Sequence, residues 1–283
     1  MIELIDLKKS NVENVSKLVY KSGDSPVMEV SIIRKGDGKD ILCVPTQTNC
    51  KMGCKFCHLT GLDIPSTNLS ADQIVELVVE SFKISMPRNP TLLVSYMGVG
   101  EPLLNVNGVI ESAKELRKLT NYKTIRFGVS TLIPGSKPFL QLIDGVVEND
   151  LKCKLHWSLH SAQSSIRKNL MPNALGIREG SALALQYMER TKQPVEVHYT
   201  LINGVNDSYR DIKSLSSVLD KRLVIKILRF APHKLEPSLE ESNVTALFKK
   251  SLESEGFTVE VYSPPGRDIG SSCGQFILDQ YTK

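Results

Sequence analysis

The chain has 283 residues, of which 41% are hydrophobic and 23% charged, with a formal net charge of +4. That length can bury a sizeable core, and the composition excludes a disordered or low-complexity protein. No apolar run approaches the roughly 18 residues of a membrane span, and the opening MIELIDLKKS lacks the apolar centre of a signal peptide. A cytoplasmic protein is expected, and so slight a positive charge permits nucleic-acid binding without arguing for it.

Residues 1–25 are polar and lysine-containing, and read as a short helix followed by a loop. Residues 27–34 (VMEVSIIR) alternate as a strand, Lys35-Gly-Asp-Gly38 is a turn, and 41–44 returns as the hairpin partner. Ser70 and Gln73 form a capping box that opens a helix to about Ile84. Strands are then expected over 91–97, 124–131, 153–160, 195–202 and 223–230. Helices separate them over 106–119, 178–190, 209–220 and 243–255, with a short helical stretch opened by Pro134 and a closing strand at 257–262. Six such alternations point to a parallel α/β sheet with outer helices, short of the eight units of a full barrel. The fold class is therefore an open or partial (β/α)6 barrel. Its expected divisions are an N-terminal extension over 1–40, the barrel over 41–256, and a C-terminal strand and tail over 257–283. In such folds chemistry gathers at the carboxyl ends of the strands.

The chain enters the first of those ends through CVPTQTNCKMGCKFCH, with Cys43, Cys50, Cys54 and Cys57 spaced C-x6-C-x3-C-x2-C. Thiols so close, without an oxidising compartment, read as metal ligands. Three of them can hold three corners of a [4Fe–4S] cube and leave one iron open. The bland alternative is a structural zinc site with Cys43 as fourth ligand, but zinc prefers paired C-x2-4-C knuckles. The next strand ends in Gly98-Val-Gly-Glu-Pro102, later ones at Ser130, at Ser158-Leu-His160 and at Asn203–Asp207, all facing one mouth.

C-x3-C-x2-C with Phe56 before its last cysteine resembles the radical S-adenosylmethionine (SAM) signature, and Gly100-Glu101-Pro102 resembles the motif that holds the amino group of SAM. More narrowly, Cys43, YMGVGEPLLN, SLH, IRKNLMP, NGVND and DIGSSCGQ, in this order, are similar to the RlmN/Cfr family of radical-SAM methyltransferases that act on adenine in ribosomal RNA and, for some, tRNA. The resemblance implies that Cys50, Cys54 and Cys57 ligate the cluster, and that Gly100, Glu101, Ser130, Ser158, Leu159 and His160 bind SAM. It also implies that Cys273 carries the methyl group, Cys43 is its resolving partner, and Glu29 is a proton acceptor. Two SAM molecules are used per methylation, and a reductant such as flavodoxin or ferredoxin supplies electrons. A carrier is chemically reasonable, because an adenine ring carbon is a poor nucleophile whereas a thiolate is a strong one. Carbon-2 is the favoured target. The rivals are carbon-8 of adenine, a radical methylase of a small molecule or peptide, and a non-catalytic cluster-containing RNA-binding protein.

The family usually has an accessory domain ahead of the hairpin, where only about 25 residues stand here, and Ala231 replaces a SAM-contacting asparagine. Cys153, His156 and His198 fall in strands and read as core residues. Lys51, Lys55, Arg126, Arg167, Lys168, Lys221 and Arg222 could touch phosphate, though each alone reads as a solvated surface charge.

Overall fold

The computed structural model describes residues 2–85, 88–232, 234–270 and 274–281. Its strands are β1 Glu3–Lys9, β2 Val15–Lys21, β3 Met28–Lys35, β4 Lys39–Cys43, β5 Thr91–Tyr96, β6 Thr124–Thr131, β7 Cys153–Ser158, β8 Val195–Leu201, β9 Val224–Arg229 and β10 Val259–Tyr262. The helices are α1 Ala71–Ile84, α2 Val106–Leu116, α3 Ser136–Glu148, α4 Ser164–Leu170, α5 Ile177–Thr191, α6 Tyr209–Val218, α7 Thr245–Ser254 and α8 Gln275–Tyr281. All ten strands form one sheet in sequence order. β1 to β4 pair antiparallel and β4 to β10 pair parallel. Six strand–helix units closed by β10 make the expected partial barrel, and Ser70 caps α1 through the expected box with Gln73.

The beginning of the chain departs from expectation: residues 1–25 supply two strands, not a helix and loop. β1 lies at the sheet edge with a half-exposed, polar face, so its alternation is faint. β2 is buried over Val15–Tyr20, Lys17 included, so its period-two signal is erased. The added strands also narrow the gap in the open barrel. Ser10 Oγ and the Asn11 N–H donate to the Asp268 carboxylate at 2.8 and 3.1 Å, and the Gly266 N–H donates to Glu13. The β1–β2 turn is thereby tied to the segment after β10.

The main core lies between the sheet and the helices, with Trp157, Tyr96, Phe127, Tyr187 and Tyr199 fully buried. Cys153 belongs to it, as expected. The stretch after Pro134 is a thirteen-residue helix, longer than expected. The strand expected over 153–160 stops at Ser158, because His160 turns into left-handed backbone at φ 52°. α8 seats Phe276 and Ile277 against Val19, Val27 and Leu59, carrying the C-terminal segment to the cysteine loop. None of the described helices is long and apolar enough to cross a membrane.

Candidate active site

The cysteine loop leaves the carboxyl end of β4, and its shape comes from backbone groups satisfied by neighbouring strands. Thr46 N–H donates to the Val99 carbonyl at 2.8 Å, Lys55 N–H to Leu170 at 3.0 Å, and Asn173 Nδ2 to the Met52 carbonyl at 3.2 Å. Gly53 takes φ 65° between Cys50 and Cys54, where a side chain would strain the turn. Phe56 meets His160 edge-on, with ring centroids 4.7 Å apart.

Cys50, Cys54 and Cys57 are half-buried free thiols. Burial pushes Cys50 up to about 12, Cys54 well up and Cys57 up, the negative charge of neighbouring thiolates adding to Cys50 and Cys54. Three thiols that resist ionising alone are suited to a positively charged iron centre that takes them as thiolates. Among the described residues, only His156, Glu196 and His198 bring three such ligand atoms within 4.8 Å of one another. At least one pair of the three sulfurs therefore lies more than 4.8 Å apart, wider than the roughly 3.8 Å between sulfur ligands of one tetrahedral zinc ion. The donor set fits a cluster better than a single ion.

β5 delivers the neighbouring wall. A side chain at Gly98 would meet the Val44 carbonyl oxygen at 2.5 Å, so only glycine lets the two strand ends touch. At Gly100, φ 105°, a side chain would meet the Thr46 and Gln47 side chains at 2.8 Å. Glu101 is buried; it accepts from the Leu103 N–H at 3.0 Å and the Leu132 N–H at 3.2 Å, while its own N–H donates to Gln47 Oε1 at 2.9 Å. Burial raises its carboxyl to about 7, with the Thr131 hydroxyl and the two N–H groups pulling the other way. Among the described residues it has donors but no ion-pair partner, and Thr46 Oγ1 is buried without a hydrogen bond. A cationic amino group is what this wall lacks. Ser130 and Ser158 Oγ stand 3.3 Å apart on the adjacent β6 and β7.

His160 is buried, and burial drives its imidazole well down, so it is neutral. Its Nδ1 accepts from the Thr200 N–H at 2.9 Å, and its carbonyl accepts from Asn206 Nδ2 at 2.6 Å. Leu159 points into the core; its N–H donates to His198 and its carbonyl accepts from Arg167. Arg167 corrects the sequence reading. Far from a solvated charge, it is 3% exposed and donates to the carbonyls of Ser158 (3.1 Å), Leu159, Leu132 (3.2 Å) and Leu175 (3.4 Å). It clamps the ends of β6 and β7 beside the cysteine loop, and burial lowers it to about 10, with Cys54 opposing. IRKNLMP contained that arginine, but no local pattern says which carbonyls it reaches.

The second group lies across β2, β3 and β4, where Lys17, Ser31 and Cys43 share one register row. Glu29 is not a surface carboxylate. It is buried, pairs with Lys17 Nζ at 3.0 Å, and accepts the Gly274 N–H. Burial raises the Cys43 thiol to about 11, with Lys17 opposing and Glu29 adding to the rise. Cys273 lies outside the described residues, but Gly274 follows it directly. Lys17 carried no readable signal, since lysine on a strand reads as surface.

His156 and His198 are buried at the barrel wall with Glu196. His156 Nδ1 is 2.9 Å from His198 Nε2 and 3.1 Å from Glu196 Oε2. Burial lowers both imidazoles, His198 to about 4. Burial alone would raise Glu196, but bonds from His156, His198 and Lys154 hold it well below the usual carboxylate range. Lys154 sits on one of its oxygens and Lys226 Nζ lies 2.7 Å from the other. Two ammonium groups on its only anion make this cluster a poor cation site.

No family model matches the chain. Among curated proteins it is 30% identical over 270 residues to the probable dual-specificity RNA methyltransferase RlmN of Clostridium botulinum (strain Loch Maree / Type A3), covering 94% of this chain and 77% of that protein. It is 29% identical to the protein of the same name from Thermotoga neapolitana, covering 98% and 80%. A radical SAM methyltransferase from Sphaerobacter thermophilus shares its fold, with a TM-score of 0.82, 24% identity, and 97% and 80% of the two chains covered.

Proposed function

The chain belongs to the RlmN family of dual-specificity RNA methyltransferases, and from that premise we propose that it methylates carbon-2 of an adenine in structured rRNA or tRNA, with Cys273 as methyl carrier and Cys43 as resolving thiol. Cys50, Cys54 and Cys57 hold a [4Fe–4S] cluster, and Glu101 takes the amino group of SAM, with Gly100, Ser130, Ser158 and His160 around it. Once bound, the cluster and SAM supply the methyl group and the one-electron chemistry that an inert ring carbon demands, fed by flavodoxin or ferredoxin.

This chain's residues do the rest. Arg167 keeps the ends of β6 and β7 in place, so the mouth is shaped before ligand arrives. Gln47 and the two backbone donors aim Glu101. Glu29 holds the residue after Cys273 while Lys17 balances its charge. The target base must leave its stack to reach the mouth.

The observation that carries the reading is the Glu29–Gly274 contact, which tethers the segment beside Cys273 to the strand next to Cys43, across 245 positions of sequence. Resolution by Cys43 would join the two sulfurs and free the product from Cys273. Cys43→Ala should therefore stop after one addition and leave protein bonded to RNA, seen as a nuclease-sensitive complex on a denaturing gel. Cys273→Ala should give none. Normal turnover by Cys43→Ala would refute the assignment. Mass spectrometry of the methyladenosine isomers then separates carbon-2 from carbon-8.

A further inference from the structure

A cavity of about 560 Å³ runs through the barrel lumen. At one end it is lined by Lys39, Lys152 and Pro194, which open or precede their strands, and by Arg126, the third residue of β6; at the other by Cys43 and Tyr262, which close theirs. Lys39 and Cys43 bound the same strand four residues apart, so the lumen runs about 13 Å from rim to thiol. SAM and base are read at the opposite, carboxyl-terminal mouth, and nothing in the methylation uses this amino-terminal opening.

The charges at the rim do not cancel. Glu196 is covered by Lys154 and Lys226, and Lys39 faces Asp37 at 3.6 Å. Arg126 and Lys152 are exposed and have no ion-pair partner among the described residues. Between rim and thiol, Ile41, Leu93, Phe127 and Leu228 alternate with the Lys154, Lys226, His156 and His198 side chains. A positive rim over this lumen draws in a small anion, and a volume of about 560 Å³ is too small to admit a folded reductase.

We propose that this lumen is a second entrance to Cys43, admitting a low-molecular-weight anionic thiol that reduces the disulfide left by each methylation. The proposal rests on the reading that turnover ends with Cys43 joined to Cys273. The thiolate of the incoming molecule attacks Cys43 Sγ; the Cys43–Cys273 bond breaks, and Cys273 leaves as thiolate and takes up a proton. A second thiol attacks the mixed disulfide on Cys43, releasing an oxidised dimer and the free Cys43 thiol. Two small thiols are thereby oxidised by two electrons in total, and the protein disulfide is reduced by two. Reduction in this way proceeds with RNA still covering the mouth.

The test uses the anaerobic holoenzyme and reads modification of Cys43 by peptide mass spectrometry. The rate with anionic iodoacetate is divided by that with neutral iodoacetamide, then normalised to the same ratio in the denatured protein. An excess of about tenfold is expected, at the low end of electrostatic focusing. Arg126→Glu with Lys152→Glu should erase it, while Lys249→Glu with Lys250→Glu, the same charge change on α7, should not. On the oxidised enzyme, 2-mercaptoethanesulfonate should reduce the disulfide faster than 2-mercaptoethylamine, in the same Arg126- and Lys152-dependent way. No anion preference at Cys43 overturns the entrance. A rim variant that loses RNA affinity but keeps the preference overturns it in favour of an RNA grip. An anion preference without any disulfide forming leaves the entrance standing but overturns its use in reduction, and with it the resolving role of Cys43.

Discussion

Glu101 at the mouth and Glu196 on the barrel wall are both buried acids, but they are satisfied differently. Glu101 has N–H and hydroxyl donors and no cation, and its carboxyl is raised to about 7. Glu196 has two lysines and two neutral imidazoles around it, and is held far into the anionic range. A buried acid that lacks a counter-charge is costly unless a ligand brings one. One that is already paired asks for none. The contrast separates a buried acid without a counter-charge from a polar wall that maintains itself.

The widest test of that difference is in the cysteines. Cys50→Ala, Cys54→Ala or Cys57→Ala should abolish the visible absorbance of the anaerobically purified protein, whereas Cys153→Ala, in the core, should retain it. Next comes Arg167→Met, which strands the carbonyls that frame the mouth. It should cost about 3–5 kcal/mol and roughly 10 °C in Tm, measured by urea and thermal unfolding. Arg167→Lys should restore less than half, because one ammonium cannot span both strand ends.

A smaller effect follows from pH. As pH falls through about 7, Glu101 takes up a proton that the unfolded chain would not bind until about 4.5. The ligand-free protein therefore gains stability from this group on going from pH 7 to 4.5, about 3 kcal/mol in all. SAM binding moves the other way, because the anion facing its amino group is lost. Affinity measured by calorimetry should be flat above pH 7 and fall up to about tenfold per unit below it. A flat profile from pH 8 to 5.5 would remove Glu101 from the SAM site.

The smallest effect should be that of Glu196→Gln. Lys154 is 37% exposed and can turn to water, and Lys226 keeps Glu260 at 3.3 Å. Its expected cost is about 1–2 kcal/mol, below that of Arg167→Met. If the order were reversed, the amino end would be the more tightly built of the two.

The sequence by itself determined the barrel and the motifs that stand at the carboxyl ends of its strands. Strand–helix alternation from β4 to β10 is a local pattern, written in apolar periods and a capping box. The cysteine loop and Gly98–Pro102 are short motifs, readable because their ligands or turns lie within a few residues. The strands of residues 1–25 were hidden, because an edge strand and a doubly buried one both lose the alternation that betrays a strand. Only tertiary structure decided that Arg167 is a buried clamp, that Lys17 and Glu29 form a buried pair, and that Gly274 docks on Glu29. Each depends on partners contributed by distant strands. A charged side chain reads as solvated until the fold supplies the carbonyls or counter-charge that make its burial tolerable.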